Sequence, residues 1–149
     1  MKRILTGLVL IFSVLGLIIS GYSLAAHYDT NLYEVCTVNE TFDCSSVNAS
    51  EYSVIFGVPV AFLGIIGYAV IAILLLIFLT GKSIQVLQWS VAISVGALLF
   101  SFYLSGIEAF VLYKWCLFCV ASQVSITIIT GAVGWLYFLE LKNKSGSDT

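Results

Sequence analysis

The sequence predicts an all-α membrane protein, a bundle of four transmembrane helices with one long external loop that carries cysteines. Three observations lead there. The chain is 60% hydrophobic and 9% charged with a mean hydropathy of +1.08, beyond what a soluble domain of 149 residues carries. Its apolar residues fall in four runs, each close to the roughly 20 residues that cross a bilayer core as a helix. The four cysteines form two pairs, one in the loop and one at the head of the last run. The length allows a single domain, 1–149. The net charge of −2 is uninformative as a total, the lack of a basic patch argues against nucleic acid as a partner, and the single histidine, His27, rules out a histidine metal cluster.

The first run, 4–26, follows a short basic head, Met1-Lys2-Arg3. A cleaved signal peptide is the rival reading, because Ser23-Leu24-Ala25-Ala26 is a small-residue exit, but the run is longer than the usual apolar region of such peptides. The loop, 27–56, holds Asp29, Glu34, Glu40, Asp43 and Glu51 and no Lys or Arg, and its apolar end, Tyr52 to Phe56, is expected to lie along the membrane surface. The second run, 57–80, has Pro59 in its first turn, where a proline loses no helical hydrogen bond. Gly64 and Gly67 are expected to let a neighbouring helix approach closely. A tight connection, 81–83, leads to the third run, 84–106, with Ser90, Ser94 and Ser101 on an apolar background. A short connection with Glu108 and Lys114 leads to the fourth, 116–139, and the polar tail, 142–149, is expected to be disordered.

Four crossings put Lys2, Arg3, Lys82, Lys142 and Lys144 on one side and only Lys114 on the other. Lys and Arg mark the cytoplasmic side, so both termini are expected there and the acidic loop outside. All four cysteines then share the outer side, where disulfides are permitted.

Cys116 and Cys119 are a CxxC whose thiols share one helix face, close enough for a disulfide or half of a metal site. A helix N-terminus favours thiolate there. The alternatives are two small hydrophobes packed in a helix, or half of a four-cysteine metal centre completed by Cys36 and Cys44. Cys36 and Cys44, separated by seven residues, read alone as a staple of the loop; beside a CxxC they can exchange with it through thiolate attack. Ser50 and Ser53 can donate to a ligand carbonyl or merely cap a turn. Glu108 reads as a surface carboxylate, a partner of Lys114 or a proton carrier. Asn39-Glu40-Thr41 and Asn48-Ala49-Ser50 match the glycosylation tripeptide, a pattern that arises often by chance.

Taken together, Cys36-x7-Cys44, Cys44-x5-Ser50, Ser53-Val54-Ile55-Phe56-Gly57 and Trp115-Cys116-Leu117-Phe118-Cys119 resemble the vitamin K epoxide reductase family, and in particular its prokaryotic disulfide-forming members. The resemblance implies a four-helix bundle around a quinone, capped by the first external loop. It implies Cys119 as the redox cysteine beside the quinone and Cys116 as its partner that exchanges with the loop. It implies Cys44 as the loop cysteine that meets Cys116, and Cys36 as the one that meets external thiols. Ser50 matches a serine of the quinone pocket, and Ser53 falls where vertebrate members carry a pocket asparagine. Phe56 and Phe62 are expected, from position, to stack on the ring. The implied partners are the lipid bilayer, a membrane quinone of the menaquinone, ubiquinone or vitamin K type, and an external thioredoxin-like (DsbA-like) protein, with no metal. Electrons are expected to run from that protein through Cys36 and Cys44, then Cys116 and Cys119, to the quinone, supporting disulfide formation. Vertebrate members carry a tyrosine four residues after the second CxxC cysteine; this chain has Gln123, which argues against the epoxide as substrate.

Two readings from other classes compete. A claudin-like junction protein also has a cysteine pair in its first external loop, but with tryptophans before it, whereas Trp89, Trp115 and Trp135 all come later here. The DsbB family runs the same reaction with the CxxC first and the wider pair second, the reverse of this order.

Overall fold

The computed structural model describes residues 1–29, 32, 41, 43–48, 50–81 and 83–145. Four long helices carry the apolar runs: α1 (Lys2–Tyr28), α3 (Val60–Gly81), α4 (Ile84–Ile107) and α5 (Leu117–Ser145). Each is long and apolar enough to cross a membrane. Between α1 and α3 lie a short helix α2 (Cys44–Asn48), a 3-10 turn (Glu51–Ser53) and a hairpin of β1 (Val54–Ile55) and β2 (Val58–Pro59). A π-helical turn (Glu108–Leu112) continues α4.

The bundle runs up, down, up, down. Gly16 of α1 meets Tyr68 of α3, while Ser20 meets Gly64. Ser94 of α4 accepts from Thr130 of α5 at 3.2 Å, and Gln88 donates to Tyr137 at 3.1 Å. Lys2 pairs with Glu140 at 2.7 Å, joining the first and last helices at one end. Each pairing moves forward on one helix and backward on the other. Helices α1 and α4 each pack on both α3 and α5, which closes a ring. Its core is Val9, Ile71, Leu75, Phe78, Leu87, Ile126, Ile129, Val133 and Leu136. The outward faces stay apolar, with Ile18, Ile73, Leu99 and Phe138 more than half exposed, as lipid-facing helices require.

Small residues set the helix spacing. At Gly16 a Cβ would run into the Tyr68 ring, and at Gly64 it would come within 2.7 Å of the Ser20 hydroxyl. Gly67, expected to serve the same purpose, has open space where its Cβ would be. It lines a cavity instead.

Several boundaries differ from those read in the sequence. The second long helix, α3, starts at Val60 because 54–59 forms the hairpin, paired Val54 with Pro59 and Ile55 with Val58. Its tip, Phe56-Gly57, has φ of 51° and 80°, the two positive values that a tight two-residue hairpin turn demands. Phenylalanine is an unusual residue to carry one of them. The last helix runs on to Ser145, so residues 142–145 are helical where a disordered tail was expected. Lys82 and residues 146–149 lie outside the described residues.

Candidate functional site

At the end of the bundle opposite the Lys2–Glu140 pair, a second core forms from Ala26, Cys44, Val47 and Cys116, with Leu112, Phe118 and Cys119 packed against it. Cys44 and Cys116 are both fully buried in it. The loop is brought there by its backbone: Trp115 donates its N–H to Thr41 at 2.9 Å, and Asp43 donates its N–H to Trp115 at 3.1 Å. The Asp43 carboxylate then caps α2, accepting from Ser45 Oγ at 2.5 Å, Ser46 N at 3.1 Å and Ser46 Oγ at 2.5 Å. It also binds Lys114 Nζ at 2.9 Å. Hydrogen bonds from Ser45 first, then Ser46 and Lys114, hold this carboxyl well below the usual carboxylate range. Tyr22 adds a further tie, donating to the Leu32 carbonyl at 3.0 Å while its ring leans on Phe118, centroids 5.1 Å apart.

Cys44 is disulfide-bonded, whereas Cys116 and Cys119 are free thiols. Cys36 lies outside the described residues. Helix α5 begins at Leu117, so Cys116 stands at its N-cap and its sulfur accepts the Cys119 N–H at 3.3 Å. A hydrogen bond from the Cys119 thiol, chiefly, and these backbone amides push the Cys116 thiol below its ordinary value, against desolvation and the charge of Glu108. The thiolate expected from a helix N-terminus is therefore favoured at Cys116.

Glu108 is the residue for which sequence reasoning offered the wrong setting. It is 3% exposed, not a surface carboxylate. Lys114 does not reach it, being held by Asp43. Its Oε2 accepts the Cys116 N–H at 3.2 Å, and its carboxylate lies within 4.8 Å of the Cys119 sulfur. The π-helical turn puts it there: Glu108 opens that turn, and the chain leaves it through Tyr113 at φ 51° to return to Cys116. Glu108, Cys116 and Cys119 offer three ligand atoms within 4.8 Å of one another. Among the described residues that is one short of a closed tetrahedral zinc site. The four-cysteine metal centre is not formed, because a disulfide sulfur is no thiolate ligand.

Below the thiols opens a cavity of about 460 Å³. Cys119 and Glu108 stand on its wall with Ser50, Ser53, Asn48, Tyr52, Tyr68, Phe100 and Phe118. The volume falls in the range that takes a small organic molecule. Ser50 and Ser53 thus line the cavity, and they also cap the turn, Ser50 Oγ donating to Val47 O at 2.6 Å and Ser53 Oγ to Ser50 O at 2.8 Å. Tyr68 donates to the Ser122 carbonyl at 2.8 Å, bridging α3 to α5 across the cavity floor. Phe56 and Phe62 are not part of the wall. Phe56 is wholly exposed at the hairpin tip, and Phe62 faces outward; the rings available are Tyr52, Tyr68, Phe100 and Phe118. Gln123 is bound by Ser105 at 2.5 Å and also lies off the wall.

Asn48 is the other residue that the sequence did not single out for a ligand. It is 9% exposed, lines the cavity, and its amide nitrogen has no hydrogen-bond partner. Such an orphan in a native interior costs free energy and asks for a ligand. Its burial also sets it apart from the exposed asparagine that glycosylation requires.

The model of the vitamin K epoxide reductase family matches residues 7–133, and the chain belongs to that family. Comparison with curated proteins found no match. Membership makes the chain a membrane oxidoreductase of the kind that works on thiols and quinone-type substrates.

Proposed function

From that membership we propose that this chain is a quinone-dependent thiol oxidoreductase supporting disulfide formation. Electrons enter from an external thioredoxin-like protein at Cys36 and Cys44, pass to Cys116 and Cys119, and leave to a quinone in the cavity. The observation that carries the reading is a sequence of three neighbours: a disulfide-bonded Cys44, a free Cys116 buried in the same cluster, and Cys119 on the cavity wall. In this state two electrons rest on the inner pair, one step from the cavity.

The chain's own groups fit each step. For electrons to run inward, a reduced Cys44 attacks Cys116 of the oxidised inner pair and expels Cys119. Cys36 then closes the loop disulfide and releases Cys116, whose lowered thiol value makes it the better leaving group. Cys119, freed on the cavity wall, faces the substrate. When bound, a quinone takes up two electrons and two protons and leaves as the quinol. The cavity fits its head group: apolar walls and rings for the flat face, and the Asn48 amide for a ring oxygen. A carboxamide serves both redox states, since its NH₂ donates to a carbonyl and its oxygen accepts from a hydroxyl. The Lys and Arg distribution, five residues against Lys114 alone, supports both termini in the cytoplasm and the cysteines outside.

Purified protein given a dithiol donor and a soluble quinone is expected to bleach the quinone absorbance. Cys36→Ala combined with Cys119→Ala is expected to accumulate a Cys44–Cys116 bond, seen as a joined peptide in non-reducing mass spectrometry. Only free thiols under oxidising conditions would contradict the relay.

A further inference from the structure

Glu108 is a carboxylate in a place that disfavours charge, with no cation paired to it among the described residues. Among the described residues the ion pairs are Lys2–Glu140 and Lys114–Asp43. Burying an unpaired carboxylate is costly, and a protein keeps one where a proton must come and go. Its neighbours say which proton. From α5 the titratable groups facing it are Cys116 and Cys119, whose reactive atoms lie within 4.8 Å of its oxygen. The loop's charge, Asp43, is engaged with Lys114. From α3 the nearest titratable group on the cavity is Tyr68, engaged with Ser122, and α1 offers it only serine hydroxyls.

Two of these contacts separate a structural from a chemical role. The bond to Glu108 Oε2 from the Cys116 N–H uses a backbone donor, which keeps its proton in either oxidation state of the sulfurs. The Cys119 sulfur, within 4.8 Å of the Glu108 oxygen, carries a proton only while the pair is reduced. Glu108 also stands on the cavity wall, so the same carboxyl reaches both the thiol and the space where a substrate oxygen would sit.

We propose that Glu108 is a catalytic residue, the carrier that takes the Cys119 thiol proton and delivers it to the reduced substrate. This rests on the quinone-linked reading above. The balance is complete: the Cys116 thiolate and the Cys119 thiol close to one disulfide, the Cys119 S–H bond breaks, and two electrons and two protons reach the quinone. One proton travels by way of Glu108; the other, which Cys116 gave up on becoming a thiolate, is taken from solvent. In the reverse sense, reduction of the pair by the loop returns a proton to Cys119 beside Glu108.

Glu108→Gln is the discriminating variant, because its amide oxygen still accepts the Cys116 N–H while the proton function is gone. In the full-length protein reduced and then mixed with a soluble quinone, oxidation of the inner pair is expected to fall about 100-fold at neutral pH. The residual rate is expected to climb tenfold per pH unit as hydroxide takes over, where the wild-type rate is flat. Infrared difference spectra of the wild type, reduced minus oxidised by dithiol with no quinone present, are expected to carry a buried carboxyl band that Glu108→Gln lacks. Should Glu108→Gln fail to assemble, Glu108→Asp keeps the acid one methylene further back. It is expected to be slowed less and to keep the flat pH profile, and a profile rising with hydroxide in Glu108→Asp would overturn the assignment. A wild-type rate in Glu108→Gln, or no carboxyl change on reduction, would also overturn it. A wild type that shows the carboxyl change but bleaches no quinone sinks the quinone reading and leaves the proton assignment standing.

Discussion

The two cores of this molecule are built on opposite plans. The core between the helices is mostly aliphatic, filled by Val9, Leu75, Leu87, Ile129 and Val133, with Phe78 and Tyr68 as its two rings. The core under the loop is smaller, and two of its four buried members are cysteines, with a carboxylate at its border. In the first, stability comes from packing, which accepts many sequences of the right volume. In the second, almost every polar atom has a named partner, and each partner also positions a sulfur. Asp43 holds α2 and thereby Cys44; Trp115 holds the loop; Glu108 holds Cys116. The bundle therefore acts as a frame, while the capped end spends its interactions on geometry.

If that division is right, the largest separable effect comes from the sulfurs. Cys119→Ala is expected to abolish quinone reduction while leaving the thermal unfolding midpoint in detergent close to that of the wild type. A midpoint lowered as far as a core truncation lowers it would mean that the capped end also frames the fold. The next largest belongs to the bundle. At Gly16→Ala the new methyl drives into the Tyr68 ring, and overpacking of this kind costs about 1–3 kcal/mol. Gly67→Ala meets open space on a helix where alanine is favoured by about 1 kcal/mol, so the same methyl is expected to be neutral or stabilising. Equal midpoints for the two variants would break the distinction between framing glycines and cavity glycines.

The bundle was legible in the sequence because hydropathy over 20 residues is a strong signal and four such runs leave few arrangements. The positions of Cys44, Cys116 and Cys119 were legible from order and spacing. What was hidden depends on contacts between segments distant in sequence. Glu108 reads as a surface acid because it follows a helix and precedes Lys114; a π-helical turn and the rival claim of Asp43 on Lys114, 71 residues away, decide otherwise. Phe56 reads as a wall residue because it is aromatic and near the pocket motif. A two-residue hairpin turns it outward, away from the cavity. Gly64 and Gly67 look alike in the sequence, and only the α1 contact tells them apart.

Asn48 offers a smaller effect that cuts across the comparison. Its orphan amide is a cost to the folded protein and a gain to a bound ligand. Asn48→Leu is thus expected to leave stability equal or higher, while raising the KM for a soluble quinone several-fold, the worth of about 1 kcal/mol for one hydrogen bond. A fall in kcat with KM unchanged would instead place the amide at the chemistry.

The smallest effect is set by pH at the loop's attachment. The Asp43 carboxyl is held below its ordinary value of about 4 by Ser45, Ser46 and Lys114. A depressed folded value means the unfolded or detached form binds the proton more readily. The contribution is then present in full above about pH 4 and is lost as pH falls through the lower, folded value. Between neutral pH and pH 5 the attachment is expected to be constant; below pH 4 the loop should loosen while the bundle, with no such group in its core, stays folded. Trp115 reports this directly, because its backbone bonds the loop on both sides. In a chain with Trp89→Phe and Trp135→Phe, both more than half exposed, its fluorescence should shift at acid pH with helical circular dichroism unchanged. Asp43→Asn keeps a competent N-cap but neither the charge nor the titration, so the acid shift should vanish and the attachment weaken by at most about 1 kcal/mol at neutral pH. An acid shift that survives in Asp43→Asn would assign the pH dependence to another group and remove Asp43 from the fastening of the capped end.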